Sequence, residues 1–170
     1  MSFISNIRTT FVLLLLAVIS LGASAQFTGG EKSFGPSIGY MGKNDGVTIA
    51  LQYRCPVGKY IRLAPEVSTT FRNHDMDAFG VAVNVQAPIG LGASKVAVYP
   101  LVGLQYMSWT HHWYLEAKDT TDHVNRFGAN IGAGAEMRIS QSLKLALEAK
   151  GILLRDYTSF AASVGIYYIF

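Results

Sequence analysis

The sequence has little charge and almost no sulfur chemistry. Lys, Arg, Asp and Glu make up 15% of its 170 residues, against about 25% in an average soluble protein. Basic residues occur singly, and a net charge of +3 is too small to point to nucleic acid. Cys55 is the one cysteine, which excludes an internal disulfide. On its strand it reads as a small apolar residue. Beyond residue 25 there is no run of 18 apolar residues, so a spanning helix is excluded there.

What the chain does have is apolar content of 50%, 17 glycines and nine tyrosines. Arg8, an apolar run over residues 11–21 and Ala23-Ser24-Ala25 form the three parts of a secretory leader. The run is too short to cross a bilayer as a helix. We expect residues 1–25 to be a cleaved signal peptide and 26–170 to form one domain. No cysteine lies near the cleavage point, which argues against a lipoprotein anchor.

Eight segments of alternating polarity follow, at residues 34–41, 47–55, 60–71, 78–87, from 95 onward, 126–139, 143–153 and 159–170, parted by turn residues such as Asp45-Gly46. Period two is a strand signal. In the fourth segment Phe79, Val81, Val83 and Val85 alternate with Gly80, Ala82, Asn84 and Gln86. The seventh is rich in helix formers, yet Lys144, Ala146, Glu148 and Lys150 alternate with Leu143, Leu145, Leu147 and Ala149. As a helix it would scatter charge around its circumference. The fifth has the least polar inner side; Val96, Val98, Val102, Leu104 and Tyr106 are assigned to its apolar face.

Arg54, Arg62, Glu66, Glu136, Arg138, Lys144, Glu148 and Lys150 all fall on the faces opposite the apolar ones. In a soluble barrel those charges would face water, and bulky Leu, Val and Phe would have to fill a lumen just wide enough for side chains. Inverting the barrel resolves this: apolar faces meet lipid and charges pair inside. Tyr40, Phe71, Phe79, Tyr106, Phe127 and Phe160 lie near one set of strand ends, and Phe34, Tyr53, Tyr168 and Phe170 near the other, as interfacial belts do. The predicted fold is therefore all-β, an eight-stranded antiparallel up-and-down transmembrane β-barrel. Both termini lie on one side, with loops at 43–46, 72–77, 110–125 and 154–158 on the other.

These features resemble the small eight-stranded outer-membrane barrels of the OmpX and OmpA-transmembrane-domain type, over the whole of residues 26–170. The resemblance implies a bacterial outer-membrane location and a C-terminal strand read by the barrel-assembly machinery through Val164, Ile166, Tyr168 and Phe170. It implies no activity.

Two sites are expected. The first is an ion-paired, largely plugged lumen carrying the eight charged residues named above. Like charges directly opposite are unfavourable, so the register between the sixth and seventh strands is expected to set Glu136, not Arg138, against Lys144. The runner-up is a narrow ion or small-solute pore. The second site is the 110–125 loop, read as a hairpin above the membrane with Trp109, His111, His112, Trp113 and Tyr114 as recognition residues for an extracellular ligand. Adjacent histidines on a strand point to opposite faces, so His111, His112 and His123 are not expected to bind a metal, and no cofactor is expected. Lipid A deacylases and palmitoyl transferases also use eight-stranded barrels. Ser108 and His111 are the nearest nucleophile and base, and no enzyme motif accompanies them. The expected partners are outer-membrane lipid and the assembly machinery, with the chain itself a monomer and nucleic acid excluded.

Overall fold

The structure, a computed structural model, describes residues 31–73, 75–91, 95–115 and 118–170, with the side chains of 72, 73, 112–115 and 118–121 outside that description. The leader at 1–25 also lies outside the described residues. The described strands are β1 (Ser33–Met41), β2 (Gly46–Pro56), β3 (Arg62–Asn73), β4 (Met76–Gln86), β5 (Val96–Leu115), β6 (Lys118–Arg138), β7 (Leu143–Leu154) and β8 (Ser159–Ile169). A two-residue bridge, Ile89–Gly90, pairs back onto the start of β5 inside the β4–β5 turn.

Each strand pairs antiparallel with its neighbours in sequence, and β1 also pairs with β8. That last pairing closes the sheet. Closure is what a strand-built membrane protein needs, because an open edge in lipid would leave backbone polar groups unsatisfied. The β1–β8 seam is tight. A Cβ on Gly35 would lie 1.9 Å from the Ile166 carbonyl oxygen, so only glycine fits that approach.

Alternation decides what each face meets. Phe34, Ile38 and Tyr40 on β1, and Phe160, Val164, Ile166 and Tyr168 on β8, are exposed on the outside. Leu104 and Phe127 are the most exposed, at 73% and 80%. On β5, Val102 and Leu104 point out, while Tyr99, Leu101, Gln105, Met107 and Trp109 are buried inside. Near the termini Phe34 lies beside Tyr53 on one side and Tyr168 on the other. Phe170 stacks on Tyr53 and Tyr168 at 6.2 and 6.5 Å. Near the opposite rim Tyr106 faces Phe127 with ring centroids 4.8 Å apart. From Phe160 to Phe170 the strand rises about 3.3 Å per residue; a tilt of about 40° projects this to about 25 Å, the height of a lipid-facing band.

The strands differ from expectation mainly at their ends. β5 and β6 continue as one paired hairpin out to Leu115 and Lys118, as expected of the 110–125 loop, so β6 begins well before residue 126. β3 starts at Arg62, leaving Tyr60 and Ile61 in the preceding turn.

Gly35→Ala should destabilise the barrel by about 1–3 kcal/mol through overpacking of the seam. Gly58→Ala, with open space around it, should be neutral. Urea unfolding of the refolded barrels in detergent measures both; equal midpoints would show that the seam is not tight.

Candidate functional site: the filled lumen and its mouth

Period two brings the charged residues of β2, β3, β6 and β7 to the lumen, where they join in a closed circuit. Arg54 Nε donates to Gln52 Oε1 at 2.6 Å, and Gln52 Nε2 donates to Glu66 Oε2 at 3.0 Å. Lys150 Nζ lies 2.6 Å from Glu66 and 3.6 Å from Glu148. Gln86 Nε2 donates to Glu148 at 3.2 Å, and Arg62 Nε donates to Gln86 Oε1 at 2.6 Å. Arg62 grips Glu136 with both Nη atoms, at 3.0 and 2.7 Å, and Arg54 Nη1 returns to Glu136 at 2.9 Å. The Tyr99 hydroxyl bridges the circuit, accepting from Arg54 at 3.1 Å and donating to Glu148 at 3.2 Å. Its ring crosses Gly134, where a Cβ would meet it at 2.3 Å. Arg54 also stacks on Tyr167, 3.6 Å from the ring centroid.

The circuit holds three cations and three carboxylates. Removing a charge from water costs several kcal/mol unless partners replace the water, and here each carboxylate has at least one cation within ion-pair distance.

At the terminal rim the expected register is wrong. Lys144 lies opposite Arg138, with Glu136 opposite Ala146. Two compensations make the like-charge pair tolerable. Lys144 Nζ reaches Glu136 Oε1 diagonally at 3.4 Å, and Glu31, just before β1, bonds Arg138 and lies 3.3 Å from Lys144. Burial raises the Glu31 carboxyl, but Arg138 and Lys144 outweigh this and hold it below its ordinary 4.5. Glu31 precedes the first alternating segment, so no strand period marks it as a lumen residue.

Above the circuit Asn130 donates to Asn84 at 3.0 Å and to Gln105 at 2.8 Å. A cavity of about 30 Å³ lies beside them, lined by Ser37, Thr48, Glu66, Ser68, Gln105 and Lys150 among others, enough for a water site. The far half of the lumen holds an apolar cluster. Met41, Ala78, Met107, Trp109, Ile152, Leu154 and Ala161 pack together there, with Met76, Val124 and Tyr157 against them.

Trp109 is therefore corrected from a surface anchor to the centre of this plug. It is wholly buried, because its odd position on β5 shares the inner face with Met107. Tyr157, from the β7–β8 loop, covers it at 5.6 Å between rings, and His111 Nε2 lies 3.0 Å from the Tyr157 hydroxyl. The side chains of His112, Trp113 and Tyr114 lie outside the described residues. Val164, Ile166, Tyr168 and Phe170 all face outward. No cluster of three metal-ligating side chains occurs among the described residues.

A closed barrel with a lipid-facing apolar band and a lumen that holds its charged residues defines a transmembrane β-barrel protein. Residues 11–170 match the family described as outer membrane protein beta-barrel domain, and the chain belongs to it, which places it in the bacterial outer membrane. No curated protein matches the sequence significantly. Solved structures resemble it in fold. The N-terminal β-barrel domain of Pseudomonas aeruginosa OprF has TM-score 0.65 at 11% identity, covering 83% of this chain and 98% of that one. Neisserial surface protein A has 0.65 at 12%, covering 84% and 98%. Ail, the attachment invasion locus protein of Yersinia pestis, has 0.60 at 14%, covering 82% and 97%.

Glu136→Gln would leave two buried arginines without their shared carboxylate and should cost about 3–5 kcal/mol; an unchanged urea midpoint would refute the circuit. Glu31 supplies a pH test. A carboxyl depressed in the folded state adds stability above its unfolded pKa and loses it as pH falls. The midpoint difference between wild type and Glu31→Gln should be largest at neutral pH and shrink below about pH 4.5. A difference constant with pH would remove Glu31 from the clamp.

Proposed function

We propose that this barrel acts at the cell surface, binding an extracellular partner through the β5–β6 hairpin, with the lumen closed. The observation that carries this reading is the register. β4 pairs with β5 only as far as His111, and β7 pairs with β6 only from Gly128, whereas β5 and β6 stay paired out to Leu115 and Lys118. A two-stranded ribbon thus projects beyond the barrel wall, and Trp113 and Tyr114 belong to it. Extended hairpins on the rim opposite the termini fit the extracellular side, since short turns face the periplasm. The circuit and the plug support a closed lumen.

The leader at 1–25 would be removed during export, and Val164, Ile166, Tyr168 and Phe170 would serve as the assembly signal. The reading is non-enzymatic and monomeric. Ser108 and His111 stand an odd number of residues apart on one strand, so their side chains leave opposite faces and cannot pair as nucleophile and base. The second reading, a narrow channel, draws on the polar cavity beside Lys150 and Glu66.

Cells carrying the protein should adhere to a cell surface that cells without it do not hold, and deletion of residues 116–122 should remove most of that adherence while heat-modifiability on a gel stays unchanged. Equal adherence of the two forms would refute the hairpin's role. A large, stable single-channel conductance would favour the second reading.

A further inference from the structure

The mouth of the barrel, beneath the projecting ribbon, differs electrostatically from the lumen. In the lumen each cation of the circuit has a carboxylate. At the mouth two cations share an aromatic ring instead. Lys43 Nζ lies 4.9 Å and Arg126 Cζ 5.6 Å from the centroid of Tyr157, so the two charges are within about 11 Å of each other. Lys43 otherwise donates to the Asp156 main-chain oxygen at 3.3 Å, and Arg126 Nη1 to the Asn125 main-chain oxygen at 3.0 Å. Neither forms an ion pair among the described residues. The nearby carboxylates are turned to other groups: Asp45 accepts from Tyr40, and Asp156 lies 3.9 Å from Arg155.

Two buried donors at the same place lack an acceptor among the described residues. One is Arg126 Nε. The other is Nε1 of the fully buried Trp109, whose ring lies against Tyr157. Unpaired buried donors are uncommon and call for an explanation. His111 completes the set through its contact with the Tyr157 hydroxyl. The cluster draws on the β1–β2 loop, β5, β6 and the β7–β8 loop, so the fold assembles it; no single segment carries it.

We propose that this mouth is a binding site for a phosphate or sulfate monoester, with Lys43 and Arg126 as the charged ligands and Tyr157 over Trp109 as the floor. A monoester oxyanion supplies the acceptor that Arg126 Nε lacks, and two cations match the two charges of a phosphate monoester more closely than the single charge of a sulfate monoester. The site goes beyond the hairpin-binding reading and does not require the ribbon's tip.

The test uses Trp113→Phe, which leaves Trp109 as the only tryptophan. The full barrel, refolded in phosphatidylcholine nanodiscs, is titrated with glucose 1-phosphate and with glucose 6-sulfate while Trp109 fluorescence is read. A second preparation carries lipid A in the nanodisc. We expect a saturable change, weakened about tenfold by Lys43→Gln or Arg126→Gln, as loss of a charged hydrogen bond would give. Arg155→Gln, outside the cluster, should bind like wild type. Saturation by the free esters identifies a soluble or glycan source, and a change seen only with lipid A identifies a lipid headgroup; both support the site. No saturable change in either preparation, or equal affinities for Lys43→Gln, Arg126→Gln and wild type when all are heat-modifiable, would overturn it. Deleting residues 116–122 should leave the titration intact, so failure of the hairpin reading and failure of this one are separable.

Discussion

A carboxylate inside a membrane barrel must be held by cations, and Glu136 organises this lumen for that reason. It receives both Nη atoms of Arg62, one from Arg54, and Lys144 at longer range. Arg54 and Arg62 come from adjacent strands, and Glu136 from across the barrel. Their contact therefore spans the lumen as well as filling it. The other members complete the constraint. Gln52 and Gln86 pass hydrogen bonds from the two arginines to Glu66 and Glu148, and Lys150 joins those two carboxylates. A network in which each member is satisfied costs little for its burial; one with a missing member is worse than an apolar core.

Much of this was legible because strands convert spacing into facing without ambiguity. The even positions of β7 placed Lys144, Glu148 and Lys150 together on the lumen side, and the valines of β4 on the other. β5 followed the same rule despite its thin polar signal. Height and partners were harder. Facing says that Lys144 and Arg138 share the lumen, but their register depends on the turn, where Ile139 and Ser140 both donate to the Leu143 carbonyl. A pairwise rule about like charges predicted the wrong partner because it omitted Glu31, a third charge from before the first strand.

Trp109 illustrates the same limit differently. Its neighbours in sequence are histidines and aromatics, which read as a surface loop. Alternation continued from Tyr99 through Met107 would have placed it inside. Tyr157 was not legible at all: it lies in a loop, and only folding brings it over the tryptophan. Loop side chains carry no period from which a position could be read.

The lumen is packed in two zones, by different physics. The circuit near the termini depends on charge, so protonation acts on it, and salt only weakly because its members are buried. The plug near the mouth depends on apolar contact among Met41, Met107, Trp109, Ile152 and Leu154, on which neither acts directly. Exchanging ion-pair partners in the circuit would still leave an ion facing an apolar cluster, where dehydration is costly. Opening the plug would require displacing side chains contributed by β1, β4, β5, β7 and β8 together, in an interior packed too closely for one of them to move alone. His111 and Arg126 contact Tyr157, which packs on Trp109 of this plug, so the packing of the plug also fixes the geometry of the mouth.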